Sequence, residues 1–336
     1  MPTAANSWAR RRTVLLALVL LLGAVSAVLA VRSRAGEPAR TAEVGSGAAP
    51  AEAPGAPPAV AGLGAVSASP SVSVGASAPA SAGSPSSSPR GSRMGGKKGV
   101  STYEWSGNRA ALADVRASWY YNWSPRREST PGPATVEFVP MIWGASSVTD
   151  GNLAQARQDG NVLLGFNEPD LGEQANMSVE QALDLWPRLE DTGMRLGSPV
   201  VAFGGDKAGG WLDRFMSGAR ARGYRVDFIA LHWYGSDFRA DAATGHLRGY
   251  LQAVYQRYRL PIWLTEYSLI NFSGSPKFPS GAEQAAFVRA STAMLGNLSF
   301  VERYAWFALP STRGAGTGLY RDNGTPTEAG AAYRSA

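Results

Sequence analysis

Val162-Leu163-Leu164-Gly165-Phe166-Asn167-Glu168-Pro169-Asp170 is an apolar run that stops abruptly on an amide, a carboxylate and a proline turn. A short apolar segment closed by turn chemistry reads as a β-strand whose carboxyl end carries the polar groups. The same pattern recurs on either side. Candidate strands are 99–104, 117–123, 137–143, 162–168, 195–202, 226–234, 262–266 and 303–309. Amphipathic stretches fit between most of them. Ser178 with Gln181, and Ser280 with Glu283, have the spacing of a capping box that opens a helix. Leu183, Leu185 and Trp186 then supply one apolar helix face, and Phe287, Ala290 and Met294 another. Eight strands separated by helical segments imply a parallel sheet of the α/β class, and about 238 residues suit one closed (β/α)8 TIM barrel. The alternative, an open doubly wound sheet, wants a glycine-rich phosphate turn after its first strand, and none is present.

In such a barrel the chemistry collects where strands end. Strand four closes on Asn167 and Glu168, strand six on Leu231-His232-Trp233-Tyr234, strand seven on Thr265-Glu266-Tyr267, and strand eight carries Ala305-Trp306-Phe307. Cleavage of a glycosidic bond needs one carboxylic acid to protonate the leaving oxygen and a second carboxylate to attack or to activate water. A glutamate that closes an apolar strand among aromatic rings has its charged form disfavoured, which suits a general acid. Aromatic faces suit the C–H faces of sugars, and Trp123, Trp143, Trp233 and Trp306 all fall at strand ends. Glu104, Glu137 and Glu302 also flank strands but lack that aromatic company, so they read as surface charges. His246 has no motif around it and reads as a residue of a solvated helix.

The first third of the chain is built differently. Arg10-Arg11-Arg12 precedes an uncharged apolar run from Val14 to Val31, with small residues around Val28-Leu29-Ala30. Residues 1–31 therefore read as an export signal peptide or, if uncleaved, a membrane anchor. Residues 32–96, rich in Ala, Pro, Ser and Gly, cannot bury enough apolar surface to fold and read as a disordered linker. A spacer of that length reaches roughly 45 Å on average. Residues 97–336 form the folded catalytic domain. This organisation implies an extracellular or cell-envelope location, whether secreted or tethered.

Charge follows the same division. The net +6 arises from ten Lys and Arg against three Asp and Glu in residues 1–98, while residues 99–336 carry twenty-two against twenty-three. A nucleic-acid binder would carry its basic surplus on the folded part, so nucleic acid is excluded as a partner. With no cysteine and two histidines, disulfides, thiolate metal sites and a histidine-rich zinc site are excluded. No metal and no cofactor is expected.

The closing residues of these strands also carry a resemblance. Asn167-Glu168-Pro169 resembles the Asn-Glu-Pro signature of the clan A retaining glycoside hydrolases. Ser118–Trp123, Phe138–Trp143, Gly165–Asp170, Leu231–Tyr234 and Trp263–Tyr267 together resemble glycoside hydrolase family 128, the endo-β-1,3-glucanases, over nearly all of residues 97–334. That resemblance implies that Glu168 is the acid/base and Glu266 the nucleophile. It also implies that Asn167 bonds the sugar 2-hydroxyl and that His232 and Tyr234 orient the nucleophile and the sugar. Trp306 would floor the cleavage subsite, and Tyr121, Trp123 and Trp143 would bind substrate. The implied partner is a polysaccharide, a β-glucan first, with the membrane touched only through the N-terminal segment; the expected state is a monomer. Two other readings remain: a clan A hydrolase for another wall or plant glycan, and a glycan-binding protein of the envelope without catalysis.

Overall fold

The computed structural model describes residues 96–311 and 316–336. The expected signal or anchor (1–31) and nearly all of the linker (32–96) lie outside the described residues. Among those described, no helix is long and apolar enough to cross a membrane.

Among the described residues eight parallel strands follow one another: β1 Lys98–Ser101, β2 Trp119–Tyr121, β3 Glu137–Phe138, β4 Val162–Leu163, β5 Arg195–Leu196, β6 Ile229–Gly235, β7 Ile262–Leu269 and β8 Val301–Trp306. Six pair in the order β3-β2-β1-β8-β7-β6, and β4 pairs with β5. Single parallel bridges, Met141 with Leu164 and Gly197 with Phe228, join these two groups into one closed ring. All eight expected strands are present, but β3, β4 and β5 keep only two regularly paired residues each. Pro140 and Pro199 lie in these segments and have no N–H to give to a ladder.

Helices α1 Asn108–Asp114, α2 Asp150–Asp159, α3 Val179–Glu190, α4 Trp211–Ala221, α5 Ala240–Tyr258, α6 Gly281–Asn297 and α7 Glu328–Ser335 follow the strands, with an irregular segment in place of a helix between β2 and β3. The Ser280 hydroxyl accepts from Glu283 N–H while the Glu283 carboxylate accepts from Ser280, so α6 opens on the complete reciprocal cap. Ser178 opens α3 with the first half of that pattern, accepting from Gln181 N–H.

Period-two alternation divides the apolar residues into two cores. Trp119, Tyr121, Met141, Leu164, Ala230, Trp263 and Ala305 fill the lumen of the ring. Tyr120, Leu231, Trp233, Tyr267 and Trp306 face outward onto the helices. At the amino end of the barrel, Arg303 lies 4.3 Å from the centre of the Trp263 ring and pairs with Glu137 at 2.6 Å. Glu302 pairs with Arg195 at 2.7 Å and accepts from Trp263 Nε1–H. Glu137 and Glu302 are therefore ion-pair partners that close the barrel floor, which corrects their reading as free surface charges. His246 is exposed on α5, against the Trp233 ring.

Candidate active site

Glu168 reaches the site from the turn after β4. Its own N–H donates to Val200 O at 2.7 Å, and Met177 N–H donates to Pro169 O. The Asp170 carboxylate accepts from the N–H groups of Ala202 and Phe203, clamping this turn to the one after β5. Burial pushes the Asp170 carboxyl up, against those backbone donors. Glu168 has φ +43°, in the left-handed region that a side chain rarely adopts.

Glu266 reaches the site by a break in register. By strict alternation from lumen-facing Trp263 it would point at the helices. The pairing with β6 skips a residue, matching Leu231 with Leu264 and then His232 with Glu266, and the pairing with β8 slips between Leu264 and Tyr267. One extra residue turns Glu266 inward, as a β-bulge does.

The two carboxylates meet around one imidazole. His232 Nδ1 and Glu168 Oε1 are 2.9 Å apart and hydrogen-bonded; His232 Nε2 and Glu266 Oε1 are 3.1 Å apart. This second contact is within ion-pair reach, although its angles do not make a hydrogen bond. One oxygen of each glutamate and one nitrogen of His232 all lie within 4.8 Å of one another. Oxygens that approach this closely suit direct attack, for which carboxyl groups stand ~5–5.5 Å apart, better than the ~6.5–9.5 Å that leaves room for an interposed water.

Donors surround Glu266. Its Oε1 accepts from Tyr121 O–H at 3.0 Å and Trp123 Nε1–H at 2.8 Å, and its Oε2 accepts from Tyr234 O–H. Burial pushes the Glu266 carboxyl up; the His232 charge pulls it down, the Glu168 charge raises it, and the Tyr234 and Trp123 donors lower it. Burial and the neighbouring Glu266 charge hold the Tyr121 and Tyr234 phenols well above their ordinary value, so both remain donors. For His232, burial opposes the charged ring, but the attraction of Glu266 and Glu168 outweighs it and raises the imidazole. The trio is also of a kind that ligates divalent cations, but the Glu266 oxygens are already engaged by three donors.

Asn167 is buried, with Nδ2 on Gln174 Oε1 at 3.3 Å and, among the described residues, no partner for Oδ1. Trp143, half-buried, packs on the lumen cluster and its carbonyl accepts from Asn167 N–H. Of the residues named from sequence, Glu168, Glu266, His232, Tyr234, Tyr121 and Trp123 converge in direct contact, and Asn167 and Trp143 adjoin them.

Two expectations are corrected. Trp306 does not floor the site: it is fully buried in the outer core, against Tyr267 and Tyr333, and donates to Thr317 O. Alternation puts its neighbour Phe307 inward, where that half-buried ring packs edge-on against Trp123 and Tyr234. Tyr121 is fully buried too, so it acts on Glu266 and cannot stack on a ligand. Sequence reading missed Phe307 and Tyr103. Tyr103 stacks on Trp123 at 4.7 Å. The signal for Phe307 was available, since it shares the phase of Ala305 and Arg303.

The fold and this glutamate pair define a (β/α)8 barrel of the glycosidase type. Residues 100–333 match the family model described as glycosyl hydrolase catalytic core. The chain is similar to a solved subgroup I endo-β-1,3-glucanase of Amycolatopsis mediterranei in complex with laminaritriose. The two are 64% identical with a TM-score of 0.69, over 72% of this chain and 99% of that one. A subgroup II endo-β-1,3-glucanase of Sorangium cellulosum is 31% identical with a TM-score of 0.61, over 71% of this chain and 98% of that one. Both are members of glycoside hydrolase family 128, and this chain belongs to that family. Among curated proteins, alkali-sensitive linkage protein 1 of Schizosaccharomyces pombe is 33% identical over 229 residues; the match takes in 65% of this chain and 40% of that protein's length.

Proposed function

We propose that the chain is a retaining endo-β-1,3-glucanase in which Glu266 is the nucleophile and Glu168 the acid/base. The observation that carries the assignment is the inequality of the two carboxylates. Glu266 accepts from Tyr121, Trp123 and Tyr234, donors that favour its anion and leave a lone pair on Oε2 free to attack. Among the described residues Glu168 bonds one side chain, His232, and it is the more exposed of the two, able to meet a leaving oxygen. The raised carboxyl of Glu266 does not make it the acid, because every donor around it favours the charged form.

In the first half-reaction Glu266 attacks the anomeric carbon while Glu168 gives its proton to the departing glycosidic oxygen. In the second, Glu168 takes a proton from the water that displaces Glu266. The unpartnered Asn167 Oδ1, costly to bury alone, would be satisfied by a sugar hydroxyl. Trp123, Tyr234, Phe307 and Trp143 offer the aromatic walls. The β-1,3 linkage and endo action rest on the identity with the two glucanases above. Residues 1–31 would export or anchor the enzyme and residues 32–96 would space it from the membrane, so that it works on glucan outside the cell.

The test is the stereochemistry of azide rescue with an activated β-glucoside. Glu266→Gly with azide should yield the inverted glycosyl azide, and Glu168→Ala the retained one. Reversed outcomes would exchange the roles. Reducing ends released from laminarin, but not from mannan or xylan, check the substrate; release from another glycan alone would overturn the linkage.

A further inference from the structure

A neutral imidazole has one N–H and one lone pair, yet both ring nitrogens of His232 face carboxylate oxygens, at 2.9 and 3.1 Å, in a side chain with no solvent exposure. If Nδ1–H donates to Glu168, a neutral ring leaves the Nε2 lone pair 3.1 Å from Glu266 Oε1, although off the line between the two atoms. That oxygen already accepts from Tyr121 and Trp123, so it has no proton with which to answer. Two arrangements avoid the clash, and both keep a proton on Nε2 facing Glu266. In one, Nδ1 is also protonated and Glu168 is ionised; in the other, Nδ1 is bare and Glu168 carries the proton. They have the same net charge and differ by the position of one proton along the Nδ1–Oε1 line.

We infer that in the resting enzyme the catalytic proton sits on His232, as an imidazolium between two carboxylates, and passes to Glu168 as the leaving group departs. His232 is thus a positioning residue that acts through Glu168, and the inference rests on the retaining mechanism proposed above. The steps balance. As the bond from Glu266 to the anomeric carbon forms and the glycosidic bond breaks, the Nδ1 proton crosses to Glu168 and the Glu168 carboxyl supplies a proton to the leaving oxygen. Neutral His232, ionised Glu168 and a glycosyl ester remain. When water attacks and the ester breaks, Glu168 takes the water proton and returns one to Nδ1. Ionising neighbours from every side favour the stored proton: Glu168 and, farther off, Asp170 after β4, and Glu266 on β7. The Tyr121 and Tyr234 phenols stay neutral.

The chain has two histidines, which makes the charge of His232 directly readable. In the full chain labelled with ¹⁵N-histidine, with His246→Ala assigning the signals, His232 should show both ring nitrogens protonated at pH 7. An ordinary histidine, with a pKa of about 6.5, is by then mostly neutral. A bare nitrogen on His232 at that pH would overturn the inference. Kinetics supply the second arm. His232→Gln should lower kcat/KM on β-1,3-gluco-oligosaccharides by about 10²-fold, the low end for general acid catalysis, and bring the alkaline limb of its pH profile to lower pH. An aryl glycoside with a good leaving group, needing no acid, should lose less than tenfold. Equal losses on both substrates with an unmoved alkaline limb would reduce His232 to a packing role. A chain that cleaves β-1,3-glucan with a neutral His232 overturns this inference alone. A chain that holds the imidazolium but cleaves no such glucan overturns the glucanase reading instead.

Discussion

Tyr234→Phe removes a single oxygen, the one whose hydrogen points at Glu266 Oε2, and leaves the ring to fill the same space beside Phe272 and Phe307. A hydrogen bond to a charged group contributes about 1.5–3 kcal/mol, which at 1.36 kcal/mol per pKa unit is roughly one to two units. The sign follows from which form the donor prefers. Tyr234 stabilises the carboxylate and holds the Glu266 carboxyl down against burial, so its loss moves the ionisation to higher pH. The acidic limb of kcat/KM against pH reports ionisation of the free enzyme, here of Glu266. That limb should move up by about one to two pH units in Tyr234→Phe, and by a similar amount in Trp123→Phe, which removes the 2.8 Å donor to Oε1. The assay is initial rates on a β-1,3-gluco-oligosaccharide from about pH 3 to 9. A limb that stays in place, or moves down, would refute the claim that these donors hold Glu266 ionised.

Three further outcomes are expected. Glu137→Ala strands the buried Arg303 guanidinium and should cost about 3 kcal/mol, the low end for a broken buried pair because Glu137 is 32% exposed; a denaturant midpoint shows it, and a change below about 0.5 kcal/mol would contradict the pairing. Trp306→Ala should cost about 3–5 kcal/mol of stability with KM of the folded enzyme little changed, whereas Phe307→Ala should raise KM and barely move the melting temperature; the converse pattern would restore Trp306 to the cleft. Removal of residues 1–96 should leave an active protein with a cooperative melt, measured by calorimetry and reducing-end release; a truncated chain with no melting transition would place the domain boundary elsewhere.

The barrel was legible because each strand is an apolar run that ends on recognisable turn or polar residues. The strand lengths were not, since Pro140 and Pro199 interrupt pairing while leaving the path of the chain unchanged. His232 and Tyr234 fall on one face, as period two along β6 requires. At Trp306 residue type and phase disagree: a tryptophan suits a sugar subsite, but counted from Ala305 the tryptophan points out and Phe307 in. Glu266 is the converse case. Phase alone would have turned it away from the site, and only the register slip at Leu264–Tyr267, which no local pattern announces, restores it. The environment of Glu266 needed the fold as well, since its donors come from β2, the loop after β2, and β6, more than thirty residues away in every case.

The backbone at Glu168, left-handed and immediately before Pro169, has a bearing on how such an enzyme evolves. Holding a side-chain residue there costs on the order of 1–3 kcal/mol, a cost glycine would escape. The substitution that abolishes the acid is therefore also the one that relaxes the turn. Under selection for heat tolerance alone, lineages would drift toward stable barrels that no longer cut. Directed evolution for robustness must therefore screen each round on hydrolysis rather than on melting.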